Sequence, residues 1–505
     1  MITLLLYIVT ILLIIYWLLS STWKPEYFPP GPPRLPIWGS YWYLLKKDYY
    51  FPHKALESLG KQYDTDILGF YLGDFPAITT MNYRTCKRLL LKEEFNGRND
   101  TIIIRERGLG APRGIFFLDG PDWREQRRFT LRNLREFGFG RRSVNIENFV
   151  TDEIKGIMDL VTSNPPEEFK SFLPEKGVAL SPELFYAPLL NSVMQVLAST
   201  KYETMKLINI AKAALRFQRS GDPTGSAISC TPWLRFIAPE FFGYNTAIRE
   251  NRYILNFLQG VIDEHRKTFI PHDHRDLIDV YIQEQKDREE QGEVGSFTDE
   301  QFLIVILDCM FPAGIAIGHT LNFHFVNLIN NPGVQVKMQE EIDRVVGRSR
   351  LPTLDDRPKM PYIEATIRES MRYVSLNPLG IPRRCTKDTI FEGYFIPKDT
   401  VVMPGVHLAH WDPKVWSQPD QYLPERFLDQ DGNLLKKDLT LGFGAGKRLC
   451  VGETFSRQNM FLIIAGLLQN FSVQSANGKP IDLNNIITGV NLSIDNVYIR
   501  FIPRY

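Results

Sequence analysis

Phe443-Gly444-Ala445-Gly446-Lys447-Arg448-Leu449-Cys450-Val451-Gly452 carries more information than any other part of this chain. Its fixed points read F-x-x-G-x-R-x-C-x-G. That spacing suits a loop that presents one cysteine thiolate to a haem iron. Gly446 permits a tight turn that few other residues tolerate. Such a turn can aim backbone N–H groups at the sulfur. Arg448 is a planar, permanently charged donor within reach of a haem propionate. Gly452 lets the following helix approach a flat cofactor with no side chain between them. Phe443 offers an apolar wall over the sulfur.

A lone cysteine is most often a buried, inert thiol. Five fixed residues around Cys450 point elsewhere. The stretch resembles the haem-binding signature of the cytochrome P450 family. The resemblance implies that Cys450 is the axial iron ligand and that the cofactor is haem b. It also implies a mainly α fold with a small β region, the P450 prism. The overall style is similar to insect microsomal members of the family.

The rest of the composition fits a large enzyme. The chain has 505 residues and a formal net charge of +1, which gives no sign of a nucleic-acid partner. Its five cysteines are Cys86, Cys230, Cys309, Cys385 and Cys450. They are widely spaced, with no C-x-x-C pair, so zinc and disulfide frameworks are disfavoured. A reducing, cytosol-facing environment follows.

Ile2 to Leu19 is uncharged and almost wholly apolar, about the length needed to cross a bilayer core. Residues 1–21 therefore read as a transmembrane signal anchor. A cleaved signal peptide competes, because Ser20 and Ser21 follow the apolar run. No basic residue precedes the run; the first are Lys24 and Arg34. The positive-inside rule then places the bulk of the chain in the cytosol. Residues 22–40 hold Pro29-Pro30-Gly31-Pro32-Pro33, a stiff hinge. Residues 41–505 form one haem-binding catalytic domain. Strand-like runs stand at Ile67–Leu72, Ala77–Met81 and Val401–Pro404 among long helical patterns. The family's microsomal members carry a similar anchor and hinge, which implies the endoplasmic reticulum membrane.

Further motifs extend the resemblance. Glu369-Ser-Met-Arg372 puts an acid and a base on one helix face. With Arg426 of Pro424-Glu425-Arg426-Phe427, it is similar to the buried Glu-Arg-Arg lock of the family. Trp123 and Arg127 lie four apart and share a helix face, so both donors can point one way. An amphipathic helix with a core tryptophan would look the same. The resemblance implies that the pair holds the propionates, and that Arg383 does so from its place after Pro382. Arg124, Arg128, Arg132 and Arg135 form a basic stripe on one face. It reads as solvated surface or, by resemblance, as the docking face for an acidic NADPH-dependent flavoprotein reductase.

The middle of the chain departs from the family. Thr298 to Asn330 predicts one long helix, with Thr298-Asp-Glu-Gln301 as a capping box. The family pattern A-G-x-[D/E]-T sets an acid and an alcohol above the iron. Here Ala313-Gly314-Ile315-Ala316-Ile317 puts Ala316 and Ile317 at those places. Pro312 is expected to kink the helix. His319 and Thr320 follow, and either they replace the polar pair or the distal wall is apolar. The acid and alcohol normally supply the proton path for oxygen activation. The resemblance thus implies a monooxygenase that oxidises a lipophilic substrate with O2 and electrons from NADPH. It leaves open a haem-thiolate isomerase or peroxide-using enzyme, and a haem-based ligand-binding protein without turnover. Expected pocket segments are Arg107–Leu118, Leu207–Gln218, Ala313–Thr320, Asn377–Ile381 and Ile486–Leu492.

Overall fold

The computed structural model describes residues 2–220 and 227–505. The chain is mainly helical with small sheets, as the sequence predicts. Asp299–Asn330 is the central helix, and most of its side chains are buried. It is hydrophobic all round because it is surrounded, which is what a core helix of a large domain requires. The helix Glu183–Ala198 packs along it, with Thr204–Gln218, Tyr244–Thr268, Pro361–Val374 and Glu453–Asn470 around the two. One large apolar cluster runs through all six.

The start of the central helix refines one expectation. Thr298 caps it, accepting from the Gln301 N–H at 3.2 Å. The reciprocal arm of a capping box is not made. The Gln301 amide instead accepts from Gly114 N–H at 2.9 Å and donates to the Gly114 carbonyl at 3.1 Å. The helix runs on through Pro312.

The sheet expected from the strand-like runs is present. Ile67–Leu72 pairs antiparallel with Phe75–Thr80, and Val401–Met403 adds parallel to the second strand. Gly73 takes φ +61° in the two-residue hairpin loop, a conformation that favours glycine. Arg383–Arg384 forms the fourth strand, antiparallel to Val401–Met403. This strand carries Arg383 to the cavity wall. A second sheet, Val178–Ser181, Val497–Pro503 and Phe471–Ser475, was not legible in the sequence.

The proline-rich segment is stitched to the first strand. Gly69 N–H donates to the Pro30 carbonyl at 2.9 Å, and Lys24 Nζ donates to Pro32 at 2.7 Å. A Cβ at Gly31 would lie 1.9 Å from the Gly69 carbonyl oxygen, so only glycine fits. Before it, Ile2–Ser20 forms one helix of 19 residues, and the apolar side chains from Leu5 to Leu18 are exposed. At 1.5 Å per residue it is about 28 Å long. Among the described residues, Asp299–Asn330 is the one helix with the length and apolarity of a membrane span, but 83% of its apolar window is buried inside the fold, and Leu5–Leu18 is a shorter apolar helix.

Candidate active site

A cavity of about 310 Å³ lies between the central helix and the Cys450 loop. Each of the five expected pocket segments reaches its wall, through Arg107, Phe217, Ala316, Ile381 and Val490 among others. A second cavity of about 850 Å³ adjoins it and shares Arg98, Arg107, Phe117 and Phe217.

Cys450 stands at the inner wall, just before the helix Glu453–Asn470. Its N–H donates to the Phe443 carbonyl at 3.0 Å, which closes the loop. Burial pushes the thiol up, whereas N–H groups of Gly452 and Glu453 favour the thiolate. Those groups belong to a helix N-terminus, whose dipole also favours an anion. The donors near the sulfur therefore come from the helix, not from the Gly446 turn. Gly446 has a different constraint. It takes φ +72°, and a Cβ there would lie 2.8 Å from the Leu90 carbonyl oxygen. A Cβ at Gly452 would lie 3.9 Å from Cys450 Sγ, an ordinary van der Waals contact. Phe443 lines the cavity as expected of an apolar wall.

Four arginines line the cavity: Arg98, Arg127, Arg383 and Arg448. Each is anchored by carbonyls. Arg383 donates to Leu90 at 2.8 Å and to Ala445 at 3.2 Å. Arg448 donates to Asn96 and to Leu118, both at 2.9 Å. Arg98 donates to Phe116 at 2.9 Å and to Pro382 at 3.0 Å, and Arg127 to Leu449 at 2.5 Å. None of the four forms an ion pair among the described residues. Arg448 Nη1 is buried with no partner. Loss of hydration pushes Arg383 down to about 10, and loss of hydration together with repulsion from Arg127 and Arg383 pushes Arg448 down to about 9. Arg98 is lowered further, by burial and then by its three cationic neighbours. Such a cluster is unstable without anions. Two carboxylates on the rim of a flat apolar cofactor would answer it, so the donor set fits a haem with its propionates.

Trp123 differs from expectation. Its Nε1–H donates to the Ile115 carbonyl at 3.1 Å, so it does not face the cavity. The indole face instead carries the Arg448 guanidinium, 3.7 Å from the ring centroid. Arg98 was not anticipated. A single arginine in the turn-like run Asn96-Gly97-Arg98-Asn99-Asp100 reads as solvent-exposed.

The distal side is apolar. Ala313, Ala316, Ile317 and Phe323 face the cavity. Thr320 also faces it, and its hydroxyl donates to the Ala316 carbonyl at 2.8 Å. His319 does not line the cavity. It is fully buried beside Tyr186, 3.3 Å from the phenol oxygen, and burial holds its imidazole down at about 3. Consecutive helical residues lie about 100° apart, so Thr320 and His319 cannot share one face. The expected polar pair reduces to Thr320 alone.

Beneath the cavity, Glu369 accepts from Arg372 at 2.7 and 2.8 Å and from Arg426 at 3.2 Å. The lock read from E-x-x-R and Arg426 is present.

Residues 29–500 match the family model described as Cytochrome P450. The chain belongs to the cytochrome P450 family. Similar proteins cover this P450 almost end to end. "Farnesoate epoxidase" of Bombyx mori is 28% identical over 501 residues, 98% of each chain. "Cytochrome P450 2B19" of Mus musculus is 32% identical over 95% of this chain and 94% of its own. "Cytochrome P450 2C14" of Oryctolagus cuniculus is 32% identical over 98% and 99%. This P450 is accordingly an oxidoreductase of the monooxygenase class, with a haem-thiolate centre.

Proposed function

We propose that this P450 inserts one oxygen atom of O2 into a lipophilic substrate, using electrons from NADPH through a flavoprotein reductase. The observation that carries this reading is that one cavity-facing thiol, Cys450, shares the cavity wall with four arginines that form no ion pair among the described residues. A haem b ligated by thiolate supplies the activation of O2. The protein supplies everything around it. Cys450 gives the thiolate; its backbone N–H is held by the Phe443 carbonyl, and the N–H groups of Gly452 and Glu453 favour the charge on its sulfur. Arg98, Arg127, Arg383 and Arg448 neutralise the propionates, while Trp123 braces Arg448. Phe116, Ala313, Ile317 and Phe323 exclude water and hold apolar substrate. Thr320 brings one hydroxyl to the cavity wall; it donates to the Ala316 carbonyl and would have to turn from it to pass a proton.

The exposed stripe Arg124, Arg128, Arg132 and Arg135 supports a docking face for the acidic reductase. The exposed apolar helix Ile2–Ser20 supports a membrane anchor, in the endoplasmic reticulum with the catalytic domain facing the cytosol. Sterols, terpenoids, fatty acids and xenobiotics all suit the apolar walls. The epoxidase name of the Bombyx mori relative favours an unsaturated terpenoid.

A second reading is favoured by the distal wall. With Ala316 and Ile317 in place of an acid and an alcohol, an isomerase or peroxide-using enzyme would need no side-chain proton relay. One experiment separates the two. Purified holoprotein is mixed with reductase, NADPH and a panel of lipophiles, with and without added peroxide. Substrate-dependent NADPH oxidation with oxygenated product supports the monooxygenase. Turnover of peroxide with no reductase supports the alternative.

A further inference from the structure

Asp308 is a charged group on the central helix that the chemistry above does not use. Its carboxylate is completely buried at the distal edge of the cavity. One oxygen accepts from Arg107 Nη2 at 2.5 Å. The other accepts from the Ile115 N–H at 2.7 Å and the Phe116 N–H at 2.8 Å. One helical stretch earlier, Gln301 takes both the N–H and the carbonyl of Gly114.

These bonds fall on one short strap, Gly114 to Leu118. Three of its carbonyls are taken by side chains from elsewhere. Trp123 donates to the Ile115 carbonyl, Arg98 to that of Phe116, and Arg448 to that of Leu118. The strap thus has no regular secondary structure, yet side chains from the central helix and the propionate rim pin it. Loops normally leave their backbone groups to water. Here that is impossible, because Ile115, Phe116 and Phe117 form the cavity wall. Gly114 confirms the tightness: it takes φ +84°, and a Cβ would lie 2.1 Å from Asp308 Oδ2.

We propose that Asp308 and Gln301 are positioning residues that set substrate specificity by fixing this strap. Neither needs to touch substrate. Their effect is to keep Phe116 and Phe117 in one arrangement, so that pocket shape is built before substrate arrives. Binding to a preorganised wall discriminates by shape, whereas a mobile wall adapts to many ligands. The inference rests on the haem-thiolate reading of the cavity, and its test separates the two.

Asp308→Asn keeps the volume but removes the charge that serves three donors, and Gln301→Glu keeps one strap bond of two. Holoprotein of each is compared with wild type on three readouts. The first is the carbonyl band of the reduced protein, which reports the thiolate centre. The second is hydrogen exchange of the amides in 114–118. The third is spectral binding of N-alkylimidazoles of increasing chain length. The inference expects an intact carbonyl band and faster strap exchange in both variants. It also expects chain-length selectivity to flatten by about tenfold, the scale of one lost charge-assisted bond. Wild-type exchange and a wild-type imidazole series in Asp308→Asn overturn it. If Asp308→Asn yields no holoprotein, Gln301→Glu alone decides on the same criteria. Absence of the carbonyl band in wild type would instead strike the haem-thiolate reading.

Discussion

Replacing Glu369 by Gln tests the lock beneath the cavity. The side chains of Glu369 and Arg372 are both fully buried. Glu369 accepts from Arg372 twice, from Arg426, and from the Leu423 N–H at 2.8 Å. The remaining donors of Arg372 go to the carbonyls of His410, Pro419 and Gln421. Glu369→Gln leaves the shape and most carbonyl contacts but strands two guanidinium charges. Breaking a buried pair in this way costs about 3–5 kcal/mol. Unfolding entropy of about 2.1 cal/mol/K per residue gives about 1 kcal/mol per kelvin for a chain of 505 residues. The melting temperature should therefore fall by about 3–5 °C. The assay is loss of the carbonyl band on heating, with both proteins scanned at the same rate because unfolding of a large chain is often irreversible. Arg426→Ala should add less in the Glu369→Gln background than in wild type, since both changes break one network. A shift below about 1 °C at wild-type haem content, or strict additivity of the two changes, would refute the reasoning.

Deleting residues 1–21 should move most of the protein to the soluble fraction with haem content unchanged; a mature native chain starting near Ser21 would show cleavage instead. Thr320→Val should lower product formed per NADPH consumed, within the roughly 10²–10⁴-fold range of acid–base help, and raise peroxide release. Unchanged coupling, together with turnover of peroxide without reductase, would favour the isomerase reading. Arg128→Glu combined with Arg132→Glu should slow reduction by the reductase about tenfold or more at low salt, and the defect should shrink as salt screens the encounter. A defect independent of salt would argue that the stripe does not dock an acidic partner.

The sequence made some of this architecture plain because single residues carried strong local constraints. Ile67–Leu72 was read as a short strand-like run among long helical patterns, and it forms as read. The central helix was fixed by Thr298 at one end and Asn331-Pro332 at the other, and its observed span is Asp299–Asn330. The sheet of Val178–Ser181, Phe471–Ser475 and Val497–Pro503 stayed hidden because its strands are short and lie far apart in the chain. The Cys450 loop was legible from five fixed positions. Arg98 and Asp308 were not, because each draws its role from carbonyls or N–H groups brought close only by the fold. For the same reason the indole N–H of Trp123 was assigned to the cavity, whereas the strap carbonyl of Ile115 takes it. His319 and Thr320 were adjacent in sequence, but helical rotation sends one to the cavity and the other to Tyr186.

The central claim is that Cys450 is the thiolate ligand of a haem, and the carbonyl spectrum of the reduced protein tests it most directly. Cys86 and Cys385 are buried, and loss of hydration pushes their thiols up to about 12 and about 11. Cys309 is the sharper control, because it too lies at the cavity wall, on the central helix. Cys450→Ser should abolish the red-shifted carbonyl band, and Cys309→Ala should keep it, as should Cys86→Ser, Cys230→Ser and Cys385→Ser. A Cys450→Ser protein that retains the band, or a Cys309→Ala protein that loses it at full haem content, would contradict the account.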